Sequence, residues 1–246
     1  NKYGYFRFES FKNGKGEKYE AFLKSSFDAM KRKKINKLII DLRGNTGGII
    51  QTELLRYLLP AGTEVGKYNF EKQLSKKELR KLGVKMNHVT TKTYLKNMKV
   101  SKEMAKKSSK SDGTLIVPPN PPEKFKGEIF LITDEGTFSA ASVLTSQLKT
   151  LSNAEIVGQT PGGSFYAGNA GTLQLKLKKS KLTIQLNPNF CSTQLFNLPE
   201  RDSTIKTPDV ITFSETLVPE KKYSERKKEA VPANDPVIKA AEKLMK

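Results

Sequence analysis

The sequence predicts a layered α/β fold, because strands and helices alternate and two apolar strands each end in a glycine-rich turn before a helix. Residues 3–8 alternate and are rich in aromatic side chains, as in a strand, and residues 17–34 repeat apolar side chains at helical spacing. A buried strand at 38–42 and a helix at 49–59, ended by Pro60, repeat this order. Such an alternation favours a sheet covered by helices.

The alternation stops after residue 62. Residues 63–127 are rich in lysine and weakly periodic, and they contain the segment PPNPP at 118–122. We expect an insertion with two or three short helices, which is either a surface excursion without its own function or a lid over the site. The predicted organisation is therefore a first part of the core at 1–62, the Lys-rich helical insertion at 63–127 and a second part of the core at 128–246.

The core pattern resumes with the apolar segment that begins at Ile129. The remaining predicted elements are a helix at 138–151, a strand at 154–157, a hairpin formed by 172–177 and 182–186, an extended piece at 208–210, and a final helix at 237–245 capped by Asp235. The second half therefore returns to the architecture of the first.

Composition narrows the possible partners and cofactors. The net charge is +19, but the basic residues are scattered and lack interleaved aromatic residues, which favours a solvated surface. We expect no nucleic-acid partner, while contact with an anionic surface stays an alternative. Cys191 is the only cysteine, which excludes an internal disulfide and a cysteine metal cluster, and no metal or other cofactor is expected. The apolar run 129–132 is too short to span a bilayer.

The first glycine-rich turn closes the strand in the segment KLIIDLRGNTGG, residues 37–48. Gly47 and Gly48 permit positive φ angles and a close approach of the backbone to a ligand. A helix follows, and helix N-termini present N–H groups to anions. We expect this turn to aim N–H groups at a developing negative charge; the alternative is a simple tight turn.

The second turn lies in the segment EIFLITDEGTFSAAS, residues 128–142. Ser139 begins a helix and is followed by the small residues Ala140 and Ala141, which let a carbonyl group approach. The Ala140 N–H is a further candidate oxyanion donor, and the alternative role of Ser139 is that of a helix cap. An oxyanion site next to a serine is the minimum equipment for acyl transfer.

Several segments together resemble one family, the tail-specific or C-terminal-processing serine peptidases. Residues 41–48 (DLRGNTGG) resemble the family's strand-turn "DLRGNxGG", and residues 137–142 (TFSAAS) resemble its nucleophile turn "TxSAxE". Residues 156–163 (IVGQTPGG) are similar to its "VGExTxG" segment, residues 3–11 to its opening strand and residues 208–210 to its "PDV" element. The matches occur in family order and cover most of the chain outside the insertion.

The resemblance implies a core related to ClpP and crotonase, with Ser139 as the nucleophile and with Gly47, Gly48 and Ala140 as oxyanion donors. It implies a serine endopeptidase or carboxy-terminal-processing peptidase that acts on polypeptides through an acyl-enzyme. It also implies a place in the cell envelope or periplasm.

The general base is where the chain departs from the family pattern. Ser142 replaces the usual glutamate, and no lysine follows Gly163 until Lys176, so a Ser-Lys dyad is not matched. The tricorn-like branch uses a histidine from an earlier segment and a late acidic residue. By this resemblance, we expect a base from outside these residues, upstream of Asn1.

The acidic partner would then be Asp202 or Glu200, with the spacing slightly favouring Asp202. The alternative for each of these residues is a solvated loop acid without a catalytic role. His88 is the histidine available within the chain, although its place in the Lys-rich insertion is typical of a surface residue.

Two other classes of function remain open. The missing lysine is compatible with a catalytically incomplete binding or scaffold protein on the same fold, since a serine without a base is a poor nucleophile. An acyl-CoA enzyme of the crotonase type could use the same oxyanion geometry, but it would leave the serine turn unexplained.

Overall fold

The computed structural model describes residues 3–11, 16–48, 51–67, 77, 81, 114–163, 167–169, 173–176, 179–186, 190–192 and 234–245. Its elements, in chain order, are β1 Gly4–Arg7, α1 Gly16–Arg32, β2 Lys37–Asp41, α2 Gln51–Leu58, β3 Glu64–Lys67, β4 Thr114–Ile116, β5 Glu128–Thr133, α3 Ala140–Leu151, β6 Glu155–Gly158, β7 Ala167–Asn169, β8 Leu173–Lys176, β9 Thr183–Leu186, β10 Phe190–Ser192 and α4 Pro236–Leu244. The predicted α/β fold is confirmed.

A parallel sheet of four strands, in the order β1-β2-β5-β6, forms the centre of the described fold. Strands β2 and β5 lie in the middle, and each contains a continuous apolar run, 38–40 in β2 and 129–132 in β5, as expected for parallel strands covered on both faces. Asp41 at the end of β2 pairs with Ile132 near the end of β5. The two glycine-rich turns therefore leave the sheet at the same edge, where open α/β sheets usually place their sites.

The front face of the sheet carries the larger core, packed against α1, α2 and α3. Leu38 and Leu131 project from the central strands into this cluster, and both are fully buried. Phe27 of α1 stacks on Tyr57 of α2 with ring centroids 4.5 Å apart. The spacing of apolar residues that predicted α1 thus marks its packed face.

The back face of the sheet is covered by α4. Ile39 and Phe130 lie in a second apolar cluster with Ile238 and Ala241 of this helix. The predicted cap is confirmed, because the Asp235 side chain accepts hydrogen bonds from the first N–H groups of α4.

Two strands that the sequence did not predict, β3 and β4, lie within the predicted insertion, 63–127. β3 and β4 pair in an antiparallel ladder, and Val65, Leu115 and Phe125 are buried in the front-face core. Strands of three or four residues are too short to produce a visible periodicity, which is why the sequence did not indicate them. Apart from two positions, residues 68–113 lie outside the described residues, so the boundaries of the insertion stay a prediction.

Two antiparallel pairs complete the described structure. The predicted hairpin is confirmed as β8 and β9, whereas the pairing of β7 with β10 was not predicted. The extended piece predicted at 208–210 lies outside the described residues. None of the helices in the described ranges is both long and apolar enough to cross a membrane.

Candidate active site

The turn after β2 owes its shape to glycine and to one buried amide. Gly44, Gly47 and Gly48 have φ angles of 68°, 92° and 153°, which side-chain-bearing residues rarely adopt. Asn45 is fully buried; its Nδ2 donates to the Phe8 carbonyl at 2.8 Å, and its Oδ1 accepts the Gly47 N–H at 2.9 Å. The turn is therefore fixed from inside and tied to β1.

The turn after β5 is shaped by a strained serine. Ser139 has φ 53° and ψ −124°, and although it precedes α3 its side chain makes no capping hydrogen bond. A non-glycine residue in such a conformation typically costs 1–3 kcal/mol and is found where the surrounding structure enforces it, often at functional sites. The hydroxyl is thus not used as a helix cap, which was the alternative role considered for this residue.

Hydrogen bonds join the two turns across the edge of the sheet. The Gly44 N–H donates to Asp134 Oδ1 at 2.8 Å. The Phe138 N–H donates to the Asn45 carbonyl, also at 2.8 Å. The residue before Ser139 is thereby attached directly to the glycine turn.

Thr137 is the centre of a second set of contacts beneath the serine. Its hydroxyl donates to the Leu42 carbonyl at 3.0 Å and accepts the Asp134 N–H at 3.1 Å. Its own carbonyl accepts the buried Ser142 hydroxyl at 2.9 Å and the Gly163 N–H at 3.2 Å. These bonds hold the strained turn from three directions, since they come from β2, from α3 and from the segment after β6.

Glycines leave space on two sides of the serine. A Cβ atom added to Gly47 would lie 2.6 Å from the Ser139 Cβ and 2.8 Å from the Ala140 nitrogen. A Cβ atom on Gly163 would lie 2.8 Å from the Ser139 nitrogen. Contacts this short are not tolerated between real atoms, so both positions require glycine. The structure therefore brings together Gly47, Ser139 and Ala140, as the sequence predicted.

The predicted oxyanion donors differ in their hydrogen bonding. The Gly47 N–H is bound by Asn45 Oδ1, whereas no hydrogen bond within the described ranges uses the N–H of Gly48 or of Ala140. Ala140 is the first residue of α3, where N–H groups lack an intrahelical partner. Gly47 contributes close approach, and Gly48 and Ala140 are the better candidate donors.

The structure does not describe the residues predicted as the acid and the base. Asp202, Glu200 and His88 lie outside the described residues. Within the part of the chain that the structure describes, no hydrogen bond joins the Ser139 hydroxyl to an acidic or basic side chain. No cluster of side chains suited to a metal ion occurs there either.

A buried chain of charges next to the turn was not predicted. Asp41 is fully buried and accepts hydrogen bonds from the Tyr5 hydroxyl at 2.9 Å and from Arg43 Nη2 at 2.6 Å. Arg43 also pairs with Asp235 at 2.7 Å. Burial favours a lower pKa for Arg43, but the hydrogen bonds and charges of its two carboxylate partners outweigh it and raise the pKa. The visible signal in the sequence was an acid at the end of an apolar strand with an arginine two residues later.

The sequence matches the model of peptidase family S41 over residues 2–186. No curated protein matches the chain. Similar solved structures include the photosystem II D1 C-terminal processing protease, at 16% identity and TM-score 0.40, with 75% of this chain and 37% of that chain covered. Mature CPAF is 18% identical with TM-score 0.45, covering 76% of this chain and 41% of that chain.

A lipoprotein from Streptococcus agalactiae is also similar, at 16% identity and TM-score 0.39, with 78% of this chain and 55% of that chain covered. The chain thus spans only part of each of these proteins. The family match covers well over half of the sequence and includes both glycine-rich turns and the segment after β6. The chain belongs to peptidase family S41, a family of serine peptidases.

Proposed function

We propose that the protein is a serine peptidase in which Ser139 forms an acyl-enzyme with a polypeptide substrate. The observation that carries the proposal is the conformation of Ser139, which is strained, makes no capping hydrogen bond and lies against Gly47. A serine held on a sharp strand-to-helix turn presents its hydroxyl outward. Family membership supports the same chemistry.

In the first step, the Ser139 oxygen attacks the peptide carbonyl carbon and its proton passes to a general base. The carbonyl oxygen becomes negatively charged, and the N–H groups of Gly48 and Ala140 stabilise it. The positive end of the α3 dipole adds to this stabilisation. The tetrahedral intermediate then collapses, the C–N bond breaks, and the amine leaves with the proton. Water hydrolyses the resulting ester and regenerates the serine.

The proposed mechanism also requires a general base that accepts the Ser139 proton. A histidine from outside these residues, with Asp202 or Glu200 as its acidic partner, fits the tricorn-like pattern, and His88 is the alternative within the chain. A histidine base needs an acidic or carbonyl partner to fix its tautomer. Substitution of His88, Asp202 and Glu200, one at a time, tests this assignment in the full-length protein. Loss of the base abolishes acylation, whereas loss of a solvated acid has no effect on it.

A fluorophosphonate probe tests the nucleophile directly, with the adduct measured by intact mass on the full-length protein. We expect one adduct on the wild type and none on Ser139→Ala. Ser152→Ala is the matched control, because Ser152 lies at the opposite end of the same helix; this variant should be labelled like the wild type. Labelling of Ser139→Ala would overturn the assignment.

A second candidate function is a binding protein without catalysis. It is favoured by the stretch without lysine between Gly163 and Lys176, where the family's bacterial members carry their base. In that case the wild type would bind a fluorescent peptide saturably, without cleaving it and without reacting with the probe. Cleavage of the peptide would exclude this alternative.

We further propose that the substrate is processed at its carboxyl terminus and that the protein acts in the cell envelope. The support is the resemblance of residues 41–48 and 137–142 to the C-terminal-processing peptidases. Cell fractionation followed by a high-salt wash tests the location. Release by salt would indicate that the charge of +19 contributes to contact with an anionic surface. Recovery in the cytoplasmic fraction would contradict the proposal.

A further inference from the structure

A chain of three charged side chains connects the glycine turn with the helix on the back of the sheet. Asp41 ends β2, Arg43 follows it, and Asp235 caps α4. Arg43 lies between the two carboxylates, at 2.6 Å from Asp41 and 2.7 Å from Asp235. The side chains are only 0%, 12% and 13% exposed, so these contacts are poorly screened by solvent.

Arg43 determines where the glycine turn begins. Its backbone N–H donates to Asp41 Oδ1 at 3.1 Å, and its Nε donates to the same oxygen at 3.0 Å. The next residue, Gly44, has positive φ and is bound to Asp134. A rotation of Arg43 would therefore be transmitted to the N–H groups that follow along the turn.

Asp235 uses its two oxygens for different purposes. Oδ1 accepts the N–H groups of Val237 and Ile238 at 2.9 and 3.3 Å, which caps α4. Oδ2 holds the guanidinium of Arg43. One carboxylate therefore fixes both the start of α4 and the orientation of the residue that opens the glycine turn.

The other end of α4 is anchored without contact to either turn. The Tyr3 hydroxyl donates to Glu242 Oε1 at 2.7 Å, and Lys37 at the start of β2 donates to the Met245 carbonyl. These contacts lie at the opposite end of the helix from Asp235. Their removal should therefore weaken the packing of α4 on the sheet without changing the contact between Asp235 and Arg43.

We infer that Asp235 is a positioning residue for the oxyanion turn, acting through Arg43. The inference rests on the proposed role of Ser139. Without the charge of Asp235, Asp41 and Arg43 still neutralise each other, so no isolated charge is left in the interior. The expected defect is a misdirected turn in a folded protein, which lowers the rate of acylation and leaves the affinity for the probe unchanged.

The test uses Asp235→Asn in the full-length protein, because asparagine retains a capping oxygen but loses the charge. Tyr3→Phe is the control. The first-order labelling rate and the affinity are separated by varying the concentration of the fluorophosphonate. We expect the rate for Asp235→Asn to fall about tenfold or more, since small misplacements in a site have effects of this size. The affinity should stay within about twofold, and Tyr3→Phe should react like the wild type.

A double-mutant cycle adds a measurement that a general loss of stability would not affect. Arg43→Lys should reduce the rate by at least the same factor, because it also alters the bonds to Asp41. Adding Asp235→Asn to Arg43→Lys should cause no further loss, because Asp235 acts on the turn through Arg43. An unchanged rate for Asp235→Asn, an equal loss for Tyr3→Phe, or additive effects would each overturn the inference. An unlabelled wild type would overturn the proposed function itself, and the inference with it.

Discussion

The two turns at the edge of the sheet adopt positive φ angles with different types of residue. The turn after β2 reaches its shape through glycines with positive φ at residues 44, 47 and 48. The turn after β5 has a comparable bend, but its residue with positive φ is Ser139. Glycine adopts such angles freely, whereas a serine is strained there.

The difference follows from what each turn contributes. The first turn supplies backbone groups and space, so a side chain would only obstruct it. Under the proposed function, the second turn presents the Ser139 hydroxyl, so glycine cannot replace the serine. The strain there is held by the hydrogen bonds of Thr137, Ser142 and Phe138. The comparison predicts that a side chain added to the first turn abolishes function, while the side chain removed from the second relieves strain.

The largest expected effect is that of Gly47→Ala. The new methyl group would overlap the Ser139 Cβ at 2.6 Å, so the serine or the turn must move. We expect labelling by the fluorophosphonate to slow by about 100-fold or more. Gly62→Ala is the matched control, because Gly62 also has positive φ, at 77°, but has no atom within 4 Å of an added Cβ. Equal labelling of the two variants would contradict the comparison.

Removal of the buried amide in the first turn should have the next largest effect. Asn45→Ala leaves the Phe8 carbonyl and the Gly47 N–H without their partner. We expect a loss of about 2 kcal/mol in the free energy of unfolding, measured in urea, together with slower labelling.

Asn120→Ala provides the control for this prediction. Asn120 similarly donates to the backbone carbonyls of Arg56 and Leu59 and accepts the Ala61 N–H, but these groups belong to the end of α2 and the residues after it, and not to either turn. Its substitution should lower stability without slowing the labelling. If labelling slows equally in both variants, Asn45 has no special relation to the site.

A smaller effect is expected at Ser139, where the substitution to glycine should raise the stability of the fold instead of lowering it. Ser139→Gly removes the strain and Ser139→Ala retains it, so the glycine variant should be more stable by about 1 kcal/mol. For a chain of this size that corresponds to a melting temperature about 2–4 °C higher. The same pair of substitutions at Ser152, where φ is −143°, should give no advantage to glycine. A glycine variant no more stable than the alanine variant would mean that Ser139 is unstrained.

The smallest effect concerns the far end of α4 and should leave both turns unaffected. Burial and the hydrogen bond to Glu242 raise the pKa of Tyr3 to about 12. Between pH 10 and 12 the unfolded chain loses the phenol proton while the folded chain keeps it, so the contribution of Tyr3 to stability is full below pH 10 and falls as the pH rises. The difference in urea midpoint between wild type and Tyr3→Phe should therefore shrink from pH 9 to pH 11; a constant difference would contradict this.

Local sequence was sufficient to propose the candidate site residues that belong to a single turn. Gly47, Ser139 and Ala140 were candidates because strand, glycine and small helix-starting residues follow one another directly, and the structure shows that they lie together. Their meeting at one edge follows from the rule that parallel strands end on the same side.

Contacts between distant segments could not be predicted in this way. Asp235 was expected to cap α4, but its partner Arg43 lies in another element, and no periodicity encodes such a pair. The bridging role of Asn45 depends on where β1 places the Phe8 carbonyl. The strands β3 and β4 were missed because each is short and finds its partner only through the fold.

The ladder of β3 and β4 has a consequence for how this protein can be altered. Because the two strands are antiparallel neighbours, the chain leaves the core after Lys67 and returns at Thr114 at almost the same place. The free energy of closing such a loop depends only weakly on its length. The ladder therefore holds the two ends of residues 68–113 next to each other, and the pairing of β3 with β4 does not itself require a particular length of chain between them.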